Sequence, residues 1–503
     1  MSPVDPGEVD AILQRVRARF AAGGVAASAS QPAQPTQPVQ TAPTPSASPQ
    51  SRPRRVSIAE SEALGIFDSI DAAVSAAEAA YEEYEAIGLD GRFRLVAAIR
   101  RAMERDAAEL ARMAHRETGL GRADDKEKKN LLVARKTPGP EDLTPHVVTG
   151  DRGMTVTEFA PWGVIGAITP TTNPTSTIIN NVIATLSAGN SIVFNVHPGA
   201  KGVSAENIRR INRAILEAEG PPNLVCAVPE PTIESAQELM NHPGVRVLLV
   251  TGGPAVVKEA LKTNKKAITA GPGNPPVLVD ESADIERAAR EIIRGASFDN
   301  NIVCTDEKET FVVRSKADEL LRAFGRDRAV VLNEYQIQQL ERVIFRELGA
   351  PEKPGKINPK WIGQNAGRIL REIGVEAPDS IRLVIAEVPK EHSLVWTEQM
   401  MPVMPVVRVR DVDEGIDLSV RAEHGFRHTA SIYSNNVENI TRMARAMKTS
   451  IFVANAANIA GLGEGGEDFT SFSIATPTGE GLTRPRTFAR IRRLTVVGSL
   501  RIV

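Results

Sequence analysis

Apolar and polar residues alternate in blocks from residue 163 onward, and these blocks predict a parallel β-sheet. Short continuous apolar runs read VIGAI, SIVFNV, NLVCAV and VRVLLV. Between them, residues 175–188, 200–219, 233–241 and 254–262 carry apolar residues at helical spacing. Wholly apolar strands that alternate with helices are typical of a parallel sheet covered on both faces. Such a sheet binds ligands at the carboxyl ends of its strands.

The same alternation resumes after residue 304 and predicts a second domain of this kind. Its apolar runs read ETFVVR, AVVLN, SIRLVIAEV and MPVVRV. Residues 70–82 and 93–117 lie ahead of the first sheet and have the pattern of amphipathic helices. We therefore predict the fold class α/β with two doubly wound domains, at residues 55–285 and 286–475.

Two segments outside these domains have the pattern of exposed strands. Residues 155–159 alternate like an edge strand, and the C-terminal run RLTVVGSLRIV is apolar enough to need a neighbouring edge. We predict that residues 150–160 and 485–503 form a small β element. This element is expected to join copies of the chain into a homodimer or homotetramer.

The N-terminus predicts a helix that stands apart from the domains. Residues 5–22 begin with Asp5 as N-cap and Glu8 completing a capping box. The apolar stripe comprises Val9, Ile12, Leu13, Val16 and Phe20. Residues 25–54 are mostly Ala, Ser, Thr, Gln and Pro, which predicts a disordered linker. Residues 1–24 are therefore interpreted as a docking peptide for a partner's groove, and the alternative is a frayed terminus or a helix that folds back.

Composition narrows the class of protein. With 42% hydrophobic and 24% charged residues in a chain of 503, we expect a soluble protein with more than one domain. A formal net charge of -2 argues against nucleic acid or an anionic membrane as partner. Its two cysteines cannot build a disulfide framework or a cysteine-rich metal site, so we expect a reducing cytoplasmic setting and no metal.

Cys304 lies in the polar, amide-rich run GASFDNNIVCTDEKE, between a helical pattern and a strand. A cysteine acts as a nucleophile through its thiolate, which partly exposed surroundings with oriented donors favour. The alternative is an inert buried thiol, and the local segment leaves both interpretations open. Cys226, in the apolar run LVCAV, is interpreted as a core residue.

Two further segments lie at predicted strand ends. Asn173, in Ile168-Thr-Pro-Thr-Thr-Asn173-Pro174, can aim its amide at developing negative charge, or it can serve as a helix N-cap. Thr251 and Gly252 open a glycine turn from strand to helix. Such a turn lets a phosphate approach backbone N–H groups, although glycines there also serve packing alone.

Six motifs occur in an order and spacing that resemble the aldehyde dehydrogenase superfamily across residues 60–503. They are Pro161-Trp-Gly-Val-Ile-Gly, Asn173-Pro174, Gly189-Asn190, Thr251-Gly252, Cys304 and Glu398. The resemblance implies that Cys304 is the nucleophile, and that Asn173 and the backbone N–H of Cys304 donate to the oxyanion. It also implies NAD as cofactor, with Thr251 and Gly252 near its pyrophosphate and Glu398 on the nicotinamide ribose.

Two positions depart from the hydrolytic members of that superfamily. Where those enzymes carry a glutamate that activates water, this chain has Ala270, directly before Gly271. Without that base, a thiol can attack the acyl-enzyme instead, because thiols ionise more readily than water. The pattern therefore resembles the CoA-acylating aldehyde dehydrogenases and implies coenzyme A as the second cofactor. Asn195 stands where hydrolytic relatives carry a lysine that binds the adenosine ribose.

Further motifs resemble the acylating subfamily. They are His197-Pro198-Gly-Ala-Lys201, Gly271-Pro-Gly-Asn-Pro-Pro276, Glu423-His424, His428-Thr-Ala430 and residues 474–481. The resemblance implies that the cofactors contact Thr169, Pro170, Thr171, His197, Pro198 and Gly271. It leaves His424 and His428 as candidates to deprotonate coenzyme A, with a structural role as the alternative for each.

Acylating enzymes of bacterial microcompartments, of the propanediol and ethanolamine utilisation types, resemble this layout of a short helix tethered ahead of the enzyme. The resemblance implies that residues 5–22 bind a shell protein or another cargo enzyme inside a microcompartment. The expected substrate is propanal, then acetaldehyde, oxidised reversibly to the acyl-CoA. The residues that flank Cys304 suit a small apolar pocket. They are Phe298, Ile302, Val303 and Thr305.

Three other functions remain open at this point. A hydrolytic aldehyde dehydrogenase would release the free acid, and Ala270 argues against it. A reductase of acyl phosphates would depend on phosphate rather than on coenzyme A. A scaffold that only recruits partners through the N-terminal helix would lose no activity when Cys304 is replaced.

Overall fold

The computed structural model describes residues 64–378 and 380–503. The predicted helix at residues 5–22 and the linker at residues 25–54 lie outside the described residues. The predicted α/β fold class is confirmed for the rest of the chain, in which helices and mostly parallel strands alternate.

Thirteen α-helices are present in the described residues. They are α1 Ile70–Glu85, α2 Gly88–Thr118, α3 Ala123–Lys136, α4 Pro174–Ser187, α5 Lys201–Glu217, α6 Ile233–Asn241, α7 Pro254–Leu261, α8 Ile285–Ala296, α9 Arg314–Arg326, α10 Glu334–Ile344, α11 Ala366–Glu372, α12 Val412–Ala422 and α13 Val437–Met447. The helices predicted from apolar spacing begin and end within a few residues of these bounds. Helix α3 has no counterpart among the predicted elements, because its charged residues hide its buried stripe.

Nineteen strands are present in the same residues. They are β1 His146–Gly150, β2 Gly153–Ala160, β3 Val164–Ile168, β4 Ser191–Asn195, β5 Val225–Ala227, β6 Val245–Thr251, β7 Lys266–Ala270, β8 Pro276–Val279, β9 Glu309–Val313, β10 Ala329–Val331, β11 Phe345–Glu347, β12 Lys356–Ile357, β13 Leu383–Glu387, β14 Val403–Val409, β15 Thr429–Tyr433, β16 Ile451–Ala454, β17 Ile474–Ala475, β18 Gly481–Leu482 and β19 Arg490–Val497.

The first sheet is parallel and five-stranded, in the order β5-β4-β3-β6-β7. Its strands are apolar throughout because both faces are buried. Val164 and Ile165 of β3 belong to different hydrophobic clusters, one on each side of the sheet. The strand order reverses at β3, so the chain leaves the carboxyl ends of β3 and β6 in opposite directions. Ligands bind at such a reversal in open α/β sheets.

The second sheet is parallel and seven-stranded, in the order β10-β13-β14-β9-β8-β15-β16. Phe311 and Val312 of β9 again face different clusters, so this sheet is also covered on both sides. Strand β8 pairs with β9 and β15. The chain therefore passes from one sheet to the other before Pro276, earlier than the predicted domain boundary at residue 285.

A third, antiparallel sheet has the order β1-β2-β19. Strands β2 and β19 fall within the segments expected to join copies of the chain, whereas β1 begins ahead of them. Several large apolar side chains on these strands are exposed in the single chain: Val147, Val148, Ile491, Leu494 and Val497. A role of this sheet in oligomerisation remains a prediction.

The segment that leads to Cys304 has an unusual backbone. Asp299, Asn300 and Asn301 have φ angles of 44°, 57° and 65°, in the left-handed region. Each costs about 1–2 kcal/mol for an L-residue, so surrounding contacts must hold the segment in place. The Asn300 amide donates to the carbonyls of Gly121 and Gly363, at 3.3 and 2.8 Å. The Asn301 amide donates to two more carbonyls at 2.8 Å.

Gly121 lies against this segment and has no room for a side chain. Its φ is +68°, and a Cβ there would lie 1.9 Å from Oδ1 of Asp299. Gly119, at the end of α2, has a φ of +67° but no heavy atom within 4 Å of the corresponding position. The two glycines therefore share a backbone conformation and differ in their surroundings.

We expect Gly121→Ala to destabilise the protein more than Gly119→Ala does. The control variant bears only the left-handed backbone cost of about 1 kcal/mol, whereas Gly121→Ala also displaces a buried carboxylate and should cost about 3 kcal/mol or more. Urea titration of both variants measures the difference in the free energy of unfolding. Equal losses would show that Asp299 is not held against Gly121.

Candidate active site

The carboxyl edge of the five-stranded sheet brings predicted cofactor residues together. Ile168 of β3 and Asn195 of β4 are partners in register, so the residues after both strands emerge side by side. A Cβ on Gly199 would lie 3.3 Å from Nδ1 of His197 and 3.5 Å from Oγ1 of Thr171. Thr169, Pro170 and Thr171 follow β3, and His197 and Pro198 follow β4. These five residues share one edge of the sheet.

Thr251, Gly252 and Gly271 meet at the same edge. Thr251 and Ala270 are register partners, and the N–H of Gly252 donates to the Ala270 carbonyl at 3.2 Å. Helix α7 then begins at Pro254, and no side chain caps its first turn by a hydrogen bond. Uncapped N–H groups at a helix start attract anions, so the turn fits a pyrophosphate.

An apolar cavity of about 430 Å³ adjoins this helix start. Its walls are Pro254, Val257, Lys258, Leu261, Lys262, Gly271, Pro272, Phe426 and Pro477. An apolar cleft beside an anion-binding turn suits a flat base and the phosphates of a dinucleotide or of coenzyme A. The residues present therefore fit the NAD and coenzyme A implied by the sequence.

Asn195 serves the packing of helix α6. Its Oδ1 accepts a hydrogen bond from Oγ of Ser235 at 2.6 Å, and its Nδ2 donates to the Thr232 carbonyl at 3.3 Å. The amide is thereby engaged at the start of α6 and is buried. At the position where the resemblance implies a ribose-binding lysine in hydrolytic enzymes, Asn195 therefore makes a structural contact.

Cys304 lies between the short 3₁₀ turn Phe298–Asn301 and strand β9, and its side chain is half-buried. The stretch that joins the two sheets contacts it, since a Cβ on Gly273 would lie 2.6 Å from the Cys304 carbonyl oxygen. The N–H of Gly273 also donates to Oε1 of Glu398 at 3.5 Å. These contacts place Cys304 and Glu398 near the end of the cofactor edge at Gly271.

Electrostatics favours the protonated thiol at Cys304. Burial, then the negative charges of Glu398 and Asp306, raise its pKa to about 12, against the opposing effect of Lys308. Burial also raises the pKa of Glu398. The thiol therefore has to lose its proton as part of the reaction, because the thiolate is the nucleophile.

The two candidate histidines have different surroundings. His428 is fully buried, and a Cβ on Gly273 would lie 3.3 Å from its Nδ1. Its Nε2 has no hydrogen-bond partner, and burial followed by the charge of Lys308 lowers its pKa to about 4. His424 is exposed, and its Nε2 lies 2.8 Å from the Trp396 carbonyl. The structure therefore places His428, rather than His424, against the stretch that contacts Cys304.

The side chain of Asn173 does not cap the helix that follows it. Asn173 occupies the N-cap position of α4 without a capping hydrogen bond. Instead, its Oδ1 accepts a hydrogen bond from Nζ of Lys129 at 2.6 Å, and its Nδ2 donates to Oγ1 of Thr172 at 3.1 Å. The N-cap alternative is therefore wrong for this side chain, and the amide remains available for chemistry.

A buried charge cluster behind Asn173 escaped the sequence analysis. Lys126 and Lys129 of α3 are 2% and 1% exposed, and both bind Oδ2 of Asp299. The backbone N–H of Arg122 donates to the other oxygen of Asp299 at 2.6 Å. The sequence does carry a signal for these lysines, which is the apolar stripe of α3. When this stripe is continued from Leu132 toward the N-terminus at helical spacing, it reaches Lys126 and Lys129.

Cys226 is confirmed as a core residue, fully buried with its thiol donating to the Asn223 carbonyl at 3.1 Å. Phe298 and Val303 pack into the core cluster of the five-stranded sheet, so their role as pocket walls stays a prediction. No group of His, Cys, Asp or Glu in the described residues could hold a metal ion. None of the helices in the described residues is long and apolar enough to cross a membrane.

Comparison with known proteins extends this picture to the whole described chain. The model of the aldehyde dehydrogenase family matches residues 48–330 and 382–467. The acetaldehyde dehydrogenase (acetylating) EutE of Salmonella typhimurium is 50% identical over 441 residues, which are 88% of this chain and 94% of that protein.

Two solved structures are similar in sequence and in fold. The propionaldehyde dehydrogenase of Rhodopseudomonas palustris, with bound CoA and an acylated cysteine, has 46% identity and a TM-score of 0.84 over 87% of this chain and 99% of that one. The propionaldehyde dehydrogenase of the Clostridium phytofermentans fucose utilisation microcompartment has 43% identity and a TM-score of 0.84, covering 88% and 100%. The resemblance drawn from the motifs is confirmed, and the chain belongs to the aldehyde dehydrogenase family.

Proposed function

We propose that this protein oxidises a short-chain aldehyde to its acyl-CoA with NAD⁺ as oxidant. The observation that carries the proposal is the stretch from Ala270 to Gly273. It begins at the cofactor edge and ends against Cys304. Its first residue, Ala270, stands where the resemblance implies a water-activating glutamate in hydrolytic enzymes. The similarity to a structure with bound CoA and an acylated cysteine supports it.

The reaction begins when Cys304 loses its thiol proton to solvent and the resulting thiolate adds to the aldehyde carbon, which converts the carbonyl to an alkoxide. The Asn173 amide and the backbone N–H of Cys304 hold this oxyanion. The hydride that then leaves the carbon reduces NAD⁺, which is the chemistry that the cofactor supplies when bound. The product is an acyl thioester on Cys304.

The thiolate of coenzyme A then attacks this thioester and expels the Cys304 thiolate, so the acyl group passes from one sulfur to the other. Its thiol proton requires an acceptor. His428 is the proposed acceptor, because it lies against the stretch that contacts Cys304 and its buried Nε2 has no hydrogen-bond partner. The residues proposed to hold the cofactors include Thr251, Gly252, Gly271 and Glu398.

The substrate is expected to have two or three carbons, propanal before acetaldehyde. One methylene changes discrimination by only about 1–3 kcal/mol in an apolar pocket, so both aldehydes should react. Of the similar proteins, EutE acts on acetaldehyde and the two solved enzymes on propionaldehyde. This supports a short-chain substrate.

The setting we propose is a bacterial microcompartment, with residues 5–22 bound to a shell protein or to another cargo enzyme. The similarity to a microcompartment enzyme supports this setting. The exposed apolar residues of β1 and β19 support assembly into a homodimer or homotetramer through this sheet.

NADH formation from propanal and NAD⁺ should be much faster with coenzyme A than without it, and propionyl-CoA should appear in equal amount. Absorbance of NADH and chromatography of the thioester measure the two products. Cys304→Ala should abolish both, whereas Cys226→Ala should retain them. Turnover that coenzyme A does not accelerate would indicate a hydrolytic enzyme, and dependence on phosphate would indicate an acyl-phosphate reductase. An unmodified protein without turnover, from which Cys304→Ala removes nothing, would indicate a scaffold.

The reactivity of Cys304 should rise steeply with pH in the enzyme without ligands. Because its pKa is raised to about 12, the thiolate fraction increases about tenfold per pH unit near neutrality. Alkylation of the Cys304 peptide by iodoacetamide, followed by mass spectrometry, measures the rate. Glu398→Gln removes a negative charge that raises this pKa and should speed alkylation at a fixed pH. A rate that levels off by about pH 8 would contradict the raised pKa.

Residues 1–24 fused to a fluorescent protein should co-localise with shells in cells that form microcompartments. Leu13→Glu places a charge in the predicted apolar stripe and should make the fluorescence diffuse. Gln14→Glu adds the same charge beside the stripe and should leave the co-localisation intact. Diffuse fluorescence of the unmodified fusion would rule out a docking role for this segment.

A further inference from the structure

Lys129 joins the oxyanion donor to the segment that carries the nucleophile. Its Nζ donates to Oδ1 of Asn173 at 2.6 Å and also binds Oδ2 of Asp299. Asn173 begins α4, and Asp299 lies in the left-handed segment that leads to Cys304. One ammonium group from a third element, α3, thus spans the two parts of the proposed site.

This contact fixes which end of the Asn173 amide faces the ammonium. Lys129 has three N–H donors and no acceptor, so only the carbonyl oxygen of the amide can lie against it. The NH₂ group must therefore point away from Lys129, with one N–H on Thr172 and the other free to donate. A flip of the amide would set two donors against each other in a buried place.

We propose that Lys129 is a positioning residue of the reaction, which holds the Asn173 amide with its NH₂ group toward the forming oxyanion. The proposal rests on the oxyanion role given to Asn173 above. Lys129 touches neither the aldehyde nor a cofactor and acts through Asn173.

The charge of the cluster supports the same role. Two lysines share one carboxylate, so a net positive charge remains buried behind Asn173 when both are protonated. That charge is felt in the loop of the nucleophile: burial raises the pKa of Asp306, and Lys129 is among the positive charges that oppose this rise. A buried positive charge behind the donor stabilises an oxyanion in a medium of low dielectric.

Lys126 provides a matched control for a purely structural role. It lies on the same helix, is equally buried and binds the same oxygen of Asp299 at 3.0 Å. Its other contact is the backbone carbonyl of Thr172 at 3.3 Å, not the side chain of Asn173. Replacing either lysine with methionine leaves one lysine on Asp299, so only Lys129→Met frees the amide.

The test is a double-mutant cycle with Asn173→Ala, Lys129→Met and Lys126→Met in the full chain. Steady-state kinetics and the pre-steady-state rate of NADH formation with propanal give kcat and KM. We expect Asn173→Ala and Lys129→Met each to lower kcat about 100-fold, with the KM for NAD⁺ unchanged. In the Asn173→Ala background, Lys129→Met should lower kcat by less than about a further threefold. Lys126→Met should lower kcat by the same factor in both backgrounds.

Three outcomes decide between the claims. An Asn173→Ala enzyme as active as the unmodified one would remove the proposed oxyanion role of Asn173. A slow Asn173→Ala enzyme beside a fully active Lys129→Met enzyme, or equal losses from Lys129→Met in both backgrounds, would overturn the positioning role alone. If Lys129→Met does not fold, the same cycle is run with Lys129→Gln, which keeps a donor and should show the same non-additivity with a smaller loss.

Discussion

Asp299 carries a buried negative charge on which the geometry of the proposed site depends. Its carboxylate accepts hydrogen bonds from Lys126 and Lys129 of α3 and from the backbone N–H of Arg122. Asp299 itself lies in the left-handed segment ahead of Cys304. Removal of one member of a buried ion pair typically costs about 3–5 kcal/mol, which is comparable to the summed strain of about 3–6 kcal/mol at the three left-handed residues. The ionic contacts and the amide hydrogen bonds of Asn300 and Asn301 together hold a backbone that the segment would not adopt by itself.

Around this anchor, the carboxyl edge of one sheet meets the amino-terminal end of β9 in the other. The link is the glycine- and proline-rich stretch that follows Ala270. A side chain at Gly273 would collide with the Cys304 carbonyl and press on His428. Gly271 and Pro272 of the same stretch line the cavity beside α7. Gly273 allows the close approach to the Cys304 backbone because glycine has no side chain.

The sequence predicted the elements whose residues obey a simple period. The apolar runs of β3 and β6 and the spacing of α6 led directly to the five-stranded sheet, since burial on two faces leaves a wholly apolar strand. The motif order led to Cys304, Asn173 and Glu398. The resemblance supplied their roles, because spacing alone left Asn173 open between an N-cap and an oxyanion donor.

The lysines of α3 could not be found from the motif order or from the resemblance. A buried lysine looks like a surface residue in sequence, and its partner Asp299 is distant in the chain. Only the three-dimensional meeting of α3, α4 and the Cys304 segment shows that the two lysines share the carboxylate of Asp299. The same holds for Asn195, whose contacts with α6 depend on packing between elements.

The central claim is that Cys304 carries the acyl group until a thiol removes it. Intact-protein and peptide mass spectrometry of the enzyme mixed with propanal and NAD⁺, first without and then with coenzyme A, tests it most directly. The account predicts one propionyl group on the Cys304 peptide that persists in water and disappears, as propionyl-CoA, when coenzyme A is added. No adduct on Cys304, or an adduct that water removes as fast as coenzyme A does, would contradict it.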